Sequence, residues 1–388
     1  MRDRFTILGY GALAVFALGI AAVGPAMPLL RDDLGISRTI GGLHFTAGAA
    51  GSVIAGLGSP RAMPRMGRRW VVLVGGTGTA AGGLLVALGG HPVITIAGSL
   101  VLGTFGNLLL IAVQAALSDH HGPARATVLT EASALISGVF LLPGLVLGLL
   151  GLLGLGWRPV FLLPGIVWIL LARSILGSLP ERGRIRSERA EGATLPGYRA
   201  ALLALMFAVA VEWSIGGWAA GYLVDVGGLS ESAAAAAAVT FYAAMAVGRG
   251  IGSRLTRRRT VRELLPGVVV ASLVGFAVFW WASAVPVLIA GLALAGLGVA
   301  NLFPLITSAL FAAAPGLADR ASAHVSLAGG AAVMIAPLTL GALADRWELR
   351  SAFSGVLVLL LALAATIAWW RRVQGAGEDR PPDAHEAI

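Results

Sequence analysis

The chain has 388 residues, 57% of them hydrophobic and only 12% charged, with a formal charge of +9, whereas a soluble globular domain carries about 25% charged residues. That composition excludes a water-soluble domain, and the basic balance does not point to nucleic acid because the arginines lie between apolar blocks, where they orient helices. There is no Cys and no Lys, which excludes a disulfide frame, a thiol nucleophile, a thiolate metal site and a lysine Schiff base.

Crossing the hydrocarbon core takes about 20 apolar residues in a helix. Twelve blocks meet that requirement in chain order: 5–30, 39–59, 70–89, 92–117, 126–153, 159–179, 200–226, 233–252, 264–284, 286–313, 323–344 and 352–370. The first is longer than a signal-peptide apolar core and lacks a small-residue cleavage signature, so it is expected to be a retained helix. Backbone groups in lipid must be satisfied within the protein, and blocks of this length are too long for barrel strands, so each predicts a helix. The run Ala233 to Ala238 predicts a small-residue packing surface.

Between the sixth and seventh blocks, the segment 180–199 (PERGRIRSERAEGATLPGYR) is polar and charged and cannot bury a core. The expected organisation is therefore an N-terminal half over 1–179, a cytoplasmic linker over 180–199, a C-terminal half over 200–370 and a disordered tail over 371–388. Weak internal symmetry supports the division. Asn107 and Asn301 are 194 apart, as are Pro143 and Pro337, while Phe45 and Gly56 match Phe241 and Gly252 at 196. Each pair falls in corresponding blocks, as two pseudo-symmetric six-helix halves require. Alternating the blocks across a membrane places 21 arginines on the side of the termini and five (Arg31, Arg38, Arg158, Arg346 and Arg350) on the other, which predicts an inner-membrane protein with both termini cytoplasmic.

After the second block the chain reads Gly58-Ser59-Pro60-Arg61-Ala62-Met63-Pro64-Arg65-Met66-Gly67-Arg68-Arg69, and after the eighth Gly248-Arg249-Gly250-Ile251-Gly252-Ser253-Arg254. With twelve blocks in two halves, this resembles the major facilitator superfamily, whose loop after span two carries a Gly, an Asp-Arg pair and a terminal Gly-Arg-Arg. Pro64 stands where that Asp is expected. The resemblance implies an all-α membrane protein of the major facilitator fold, with Gly67, Arg68 and Arg69 in a gating loop. The drug antiporters of the superfamily carry an Arg in span four and a Gly-Pro signature in span five. Span four here has no Arg, and span five has Leu142-Pro143-Gly144. Val211-Glu212-Trp213-Ser214-Ile215-Gly216-Gly217-Trp218-Ala219-Ala220-Gly221-Tyr222-Leu223, with Gly296, Gly298, Asn301, Phe303 and Pro304, is similar to the fucose-galactose-gluconate proton symporter branch.

Ionisable groups at the membrane centre cost about 2.5–3.5 kcal/mol or more and usually face a cavity or a partner. Glu212 lies twelve residues into its block, about 18 Å along a helix, at the midplane depth where transporters hold solutes. Desolvation disfavours a charged carboxyl, which makes Glu212 the first proton-coupling candidate and Glu131, near the inner end of span five, the second. Arg249 sits at a depth similar to Glu131, and a pair between them would close the inner side across the halves; a snorkelling charge is the alternative.

Asn107 and Asn301, each midway along its span, suit two polar groups facing one cavity, or else helix-to-helix hydrogen bonds. Trp218 and Tyr222, four apart, share a helix face that suits a sugar-like solute or an aromatic belt. His44 and His324 are lone intramembrane imidazoles, expected to be satisfied by packing. Asp119, His120 and His121 lie together, but adjacent His residues lack ligand geometry, so no metal is expected. The absence of a phosphate-cradling Gly-rich motif excludes an ATP-driven pump within the chain, and no cofactor is expected. The reading as a whole is a monomeric, proton-coupled secondary transporter of a small solute, favouring a sugar or related polar metabolite, with export of drugs or metabolites as the alternative.

Overall fold

The computed structural model describes residues 3–121, 125–178, 196–312 and 318–378. Fifteen α-helices and one short 3-10 helix (Arg158–Leu162) account for nearly all of them. The N-terminal half contains α1 (Arg4–Ala21), α2 (Val23–Leu34), α3 (Arg38–Met66), α4 (Arg68–Leu88), α5 (Pro92–His121), α6 (Arg125–Val139), α7 (Leu142–Leu152) and α8 (Leu163–Ser178). The C-terminal half contains α9 (Pro196–Asp225), α10 (Glu231–Leu255), α11 (Val261–Trp281), α12 (Val285–Val299), α13 (Leu302–Ala312), α14 (Ala318–Ala352) and α15 (Ser354–Glu378). Among the described residues, 12 helical spans are long and apolar enough to cross a membrane, in the places where the twelve apolar blocks predicted them.

Three blocks expected as single helices are broken in two. The first divides at Ala22, just before Gly24-Pro25, the fifth after Val139, just before Pro143, and the tenth at Ala300-Asn301, just before Pro304. Proline lacks the amide proton that continues an α-helix and crowds the preceding turn, so helices restart around it. The expected loop after the second block is instead helical through Met66. α4 begins at Arg68, leaving Gly67 as the only joint between the two helices. Most of the expected linker lies outside the described residues, but Pro196 to Arg199 already form the first turn of α9. The tail is helical to Glu378, and 379–388 lies outside the described residues.

Within each half, the third and fourth spans pack backbone against backbone. A methyl group added at Gly82 of α4 would meet the Leu102 amide nitrogen of α5, and one added at Gly298 of α12 would meet that of Ser272 in α11. Such close approach holds membrane helices together where burial of apolar surface cannot. The two asparagines also report the internal symmetry. Asn107 Nδ2 donates to Ser52 Oγ of α3 at 2.7 Å, and Asn301 Nδ2 donates to the Gly248 carbonyl of α10 at 2.8 Å. Ser52 and Gly248 are 196 apart, the offset that already related Phe45 to Phe241.

The halves meet along three seams, α2 on α9, α3 on α14 and α7 on α10. Small residues line each of them. A methyl at Gly24 would meet the Gly216 carbonyl, one at Gly42 the Leu338 Cα, and ones at Gly144 and Gly148 the Ala235 carbonyl and the Ala236 side chain. The Ala233 to Ala238 run is thus the packing surface its composition predicted.

Candidate functional site: a cavity between the halves

α1, α2, α3 and α5 of the first half and α9 and α14 of the second enclose a cavity of about 610 Å³. Its wall is mainly aliphatic and aromatic, and its polar lining comes from His44, Ser52, Ser99, Asn107, Gln114, Trp213 and Ser326. Trp213 and the α14 residues bring the second half to the cavity, while Asn107 and Gln114, seven residues apart, lie on one face of α5.

Beyond the cavity, at the end of the bundle opposite the termini, a polar layer ties the halves together. α3 begins at Arg38, and the first amides of any helix have no partner within it. Asp345 of α14 supplies one, accepting from the backbone amides of Arg38 (2.8 Å) and Thr39 (2.7 Å) and from the Thr39 hydroxyl (2.6 Å). Arg38 itself pairs with Asp225 at the end of α9. A carboxylate from one half thus caps a helix of the other, where it also complements the helix dipole. Two more of the five arginines assigned to this side are held by their own partners: Arg158 pairs with Asp33 at 2.7 Å and Arg350 donates to the Trp281 carbonyl.

Glu212 lies midway along α9 as expected, with Oε1 3.8 Å from the Arg249 guanidinium of α10. The same guanidinium donates to Ser137 Oγ of α6 at 2.7 Å, so one arginine joins the mid-helix carboxyl to the other half. The expected Glu131–Arg249 pair is not formed. Glu131 instead accepts from the Tyr10 hydroxyl at 2.8 Å within its own half, because the Arg249 side chain reaches toward Glu212 and Ser137 rather than along α6.

Of the four side chains expected to bind solute, only Asn107 lines the cavity. Trp218 is buried and donates its indole N–H to the Pro337 carbonyl of α14 at 3.0 Å. Tyr222 is buried between Phe279 and Phe353 and donates to the Trp280 carbonyl. Both are core residues, because the face they share points at α11, α14 and α15, and the Trp218 ring also meets Phe45 of α3. Asn301 sits in the break between α12 and α13 and fills the space opposite Gly252, so it binds helix to helix. Reading residues singly overlooked Gln114 and Trp213; the signal for Gln114 was its place two turns beyond Asn107 on one face. His44 packs as expected, with Nε2 2.9 Å from Thr95 Oγ1, and His324 meets the Tyr198 hydroxyl at 2.8 Å.

At the end carrying the termini, Arg68 is buried and pairs with Asp119 at the end of α5 at 2.7 Å, and Arg69 follows it on α4. Asp119, 51 residues along the chain, gives Arg68 a carboxylate in a half where Pro64 supplies none. Gly67 has φ 80° and ψ 149°, a conformation nearly confined to glycine and costing about 1–3 kcal/mol for other residues. Gly67→Leu is therefore expected to slow transport severalfold at normal expression, as is Arg68→Ala, which leaves α4 untied from α5; rates equal to wild type in both, measured by counterflow, would show that this joint has no part in gating.

Nearby, Asp3, His120 and His121 place ligand-type atoms within 4.8 Å of one another, the one such group among the described residues. Asp3 caps α1, and hydrogen bonds, chiefly from the Thr6 hydroxyl, hold its carboxyl below the usual carboxylate range. His120 lies 2.6 Å from Asp3, so the group ties the start of α1 to the end of α5.

A twelve-span helical membrane protein whose two like halves enclose a cavity closed at one end has the build of a solute transporter. The chain belongs to the Major Facilitator Superfamily, whose family model matches residues 10–284 and again 201–387. An uncharacterised MFS-type transporter of Yersinia pestis is 26% identical over 373 residues, covering 92% of this chain and 93% of that protein. Among solved structures, a bacterial homolog of the human lysosomal transporter Spinster, inward-facing and unoccupied, superposes with a TM-score of 0.75 at 15% identity, covering 99% of this chain and 100% of the other. A D-xylose-proton symporter gives 0.76 at 13% identity, covering 95% and 96%. The nucleoside transporter NupG gives 0.69 at 14% identity, covering 94% and 98%, and a point mutant of it gives 0.76. At these identities the likeness is one of fold.

Proposed function

We propose that the protein carries a small solute across the inner membrane as a monomer, by alternating access of its two halves, with both termini in the cytoplasm and the cavity facing that side in the described conformation. The observation that carries this reading is the Arg38/Thr39 to Asp225/Asp345 layer, which ties the halves together at the end opposite the termini, with the cavity on the other side of it. A layer of exposed ion pairs and helix-capping bonds is strong enough to hold one state and weak enough to be broken in each cycle.

Glu212 is the proton carrier in this scheme. Its link through Arg249 to Ser137 supports coupling, because a change in its charge alters a contact that spans the halves. Glu131, held by Tyr10 within one half, is the secondary candidate.

The sidedness rests on the arginine distribution and is tested by reporter fusions. Fusions at Arg182 and after Arg372 are expected to report cytoplasm, and one between Val226 and Leu229 the opposite side. An inverted pattern would reverse the orientation and, with it, which face the cavity opens to.

A further inference from the structure

The polar groups of the cavity are almost all spent inside the protein. Ser52 Oγ accepts from Asn107 and donates to the Gly48 carbonyl, Ser99 Oγ donates to the Thr95 carbonyl, and His44 is held at both ring nitrogens. Among the described residues, this leaves the Gln114 amide, the Asn107 Oδ1 and the Trp213 indole N–H as lining groups with no partner in the chain. Asn107 and Gln114 are two turns apart on α5, about 10 Å along its axis.

The rest of the wall, from Phe16 and Phe45 through Val53, Leu102 and Ile111 to Val333, is apolar, and neither a carboxylate nor a guanidinium is among the lining residues. A sugar or nucleoside placed here would leave most of its hydroxyls against hydrocarbon, giving up hydrogen bonds to water without replacement. An ion would be desolvated with no opposite charge beside it. Pockets of about 300–1,000 Å³ with apolar walls and a few placed polar groups suit a drug-sized apolar molecule.

We propose that the cargo is a neutral, largely apolar molecule carrying two or three hydrogen-bonding groups spread over about 10 Å, which engage Gln114, Asn107 Oδ1 and Trp213, rather than a sugar or other polyol. The proposal rests on the reading of this cavity as the solute path and replaces the sugar-like cargo that the Trp218–Tyr222 pair suggested.

Because the chain has no cysteine, Val53→Cys places a single thiol in the cavity, and Leu170→Cys, on a surface residue 73% exposed, serves as a lipid-facing control. Both full-length variants are reconstituted in liposomes and labelled with N-ethylmaleimide in the presence of N-alkylbenzamides from methyl to hexyl, D-xylose, uridine or tetraphenylphosphonium. The half-protecting benzamide concentration for Val53→Cys is expected to fall about fourfold per methylene until the cavity fills, while Leu170→Cys labels at an unchanged rate. Adding Gln114→Leu is expected to raise that concentration about fivefold.

Protection by D-xylose, uridine or tetraphenylphosphonium at lower concentrations than the benzamides, or benzamide protection that does not depend on chain length, would overturn the proposal. Protection as expected in a protein that neither accumulates solute under a pH gradient nor exchanges it would sink the transport reading alone. Accumulation of a sugar with no benzamide protection would sink the cargo class alone.

Discussion

Glu212→Gln is expected to abolish accumulation of solute driven by an imposed pH gradient, reducing the ratio of inside to outside concentration to one, while exchange of solute for solute survives. Gln keeps the volume and most hydrogen bonds of the side chain but cannot release a proton. Like the protonated carboxyl, Gln leaves Arg249, 3.8 Å away, without its opposite charge, so the Arg249–Ser137 contact between the halves can no longer respond to a proton. Exchange need not change protonation, which is why it persists. The measurement is uptake by purified protein in liposomes with and without a pH gradient. Wild-type accumulation in the variant would remove Glu212 from the mechanism and make Glu131 the next residue to neutralise.

The second large effect is expected at the other end of the cavity. Asp345→Ala removes the acceptor of two backbone amides and one hydroxyl from the start of α3. Hydrogen bonds to a charged acceptor contribute about 1.5–3 kcal/mol when sheltered. Asp345 is exposed, and screening reduces its net effect to about 1–2 kcal/mol. That corresponds to a shift of about five- to thirtyfold toward conformations in which this end is open. Ile36, buried beneath the layer in the described conformation, reports the change as Ile36→Cys, whose labelling by a membrane-impermeant maleimide added from that side should accelerate by about the same factor. Equal rates with and without Asp345→Ala would mean that the layer does not hold the end closed.

The spans were legible because lipid demands long apolar runs, a signal that survives any biased composition. The halves were legible because duplication left Asn107 and Asn301 at an offset of 194 and Phe45 and Phe241 at one of 196, and the structure places both asparagines in bonds to the neighbouring helix. The place of Glu212 midway along its helix followed from its position in the apolar block. Facing did not. α9 packs on neighbours from both halves and is apolar around most of its circumference, so nothing in the sequence distinguished Trp213, which reaches the cavity, from Trp218, which reaches Pro337. The closing layer joins residues 187 to 307 positions apart, and no local pattern announces a carboxylate that caps a helix so remote in the chain. The missing loop Asp was visible, but its replacement partner Asp119 became apparent only when α4 and α5 were placed side by side.

The two long seams between the halves differ in how they would respond to motion. Along α7 and α10, Gly144, Gly148 and Gly151 face Ala235, Ala236 and Ser232, so the surfaces touch almost at the backbone, with few rotamers to rearrange. Along α3 and α14, where Gly42 also lies against the Leu338 backbone, Asp345 and the Thr46 bond to the Met334 carbonyl grip specific atoms as well. The first edge is a bearing and the second a latch. A molecule built in this way is expected to part as a door does, along the edge that grips, with the smooth glycine edge as the axis on which it swings.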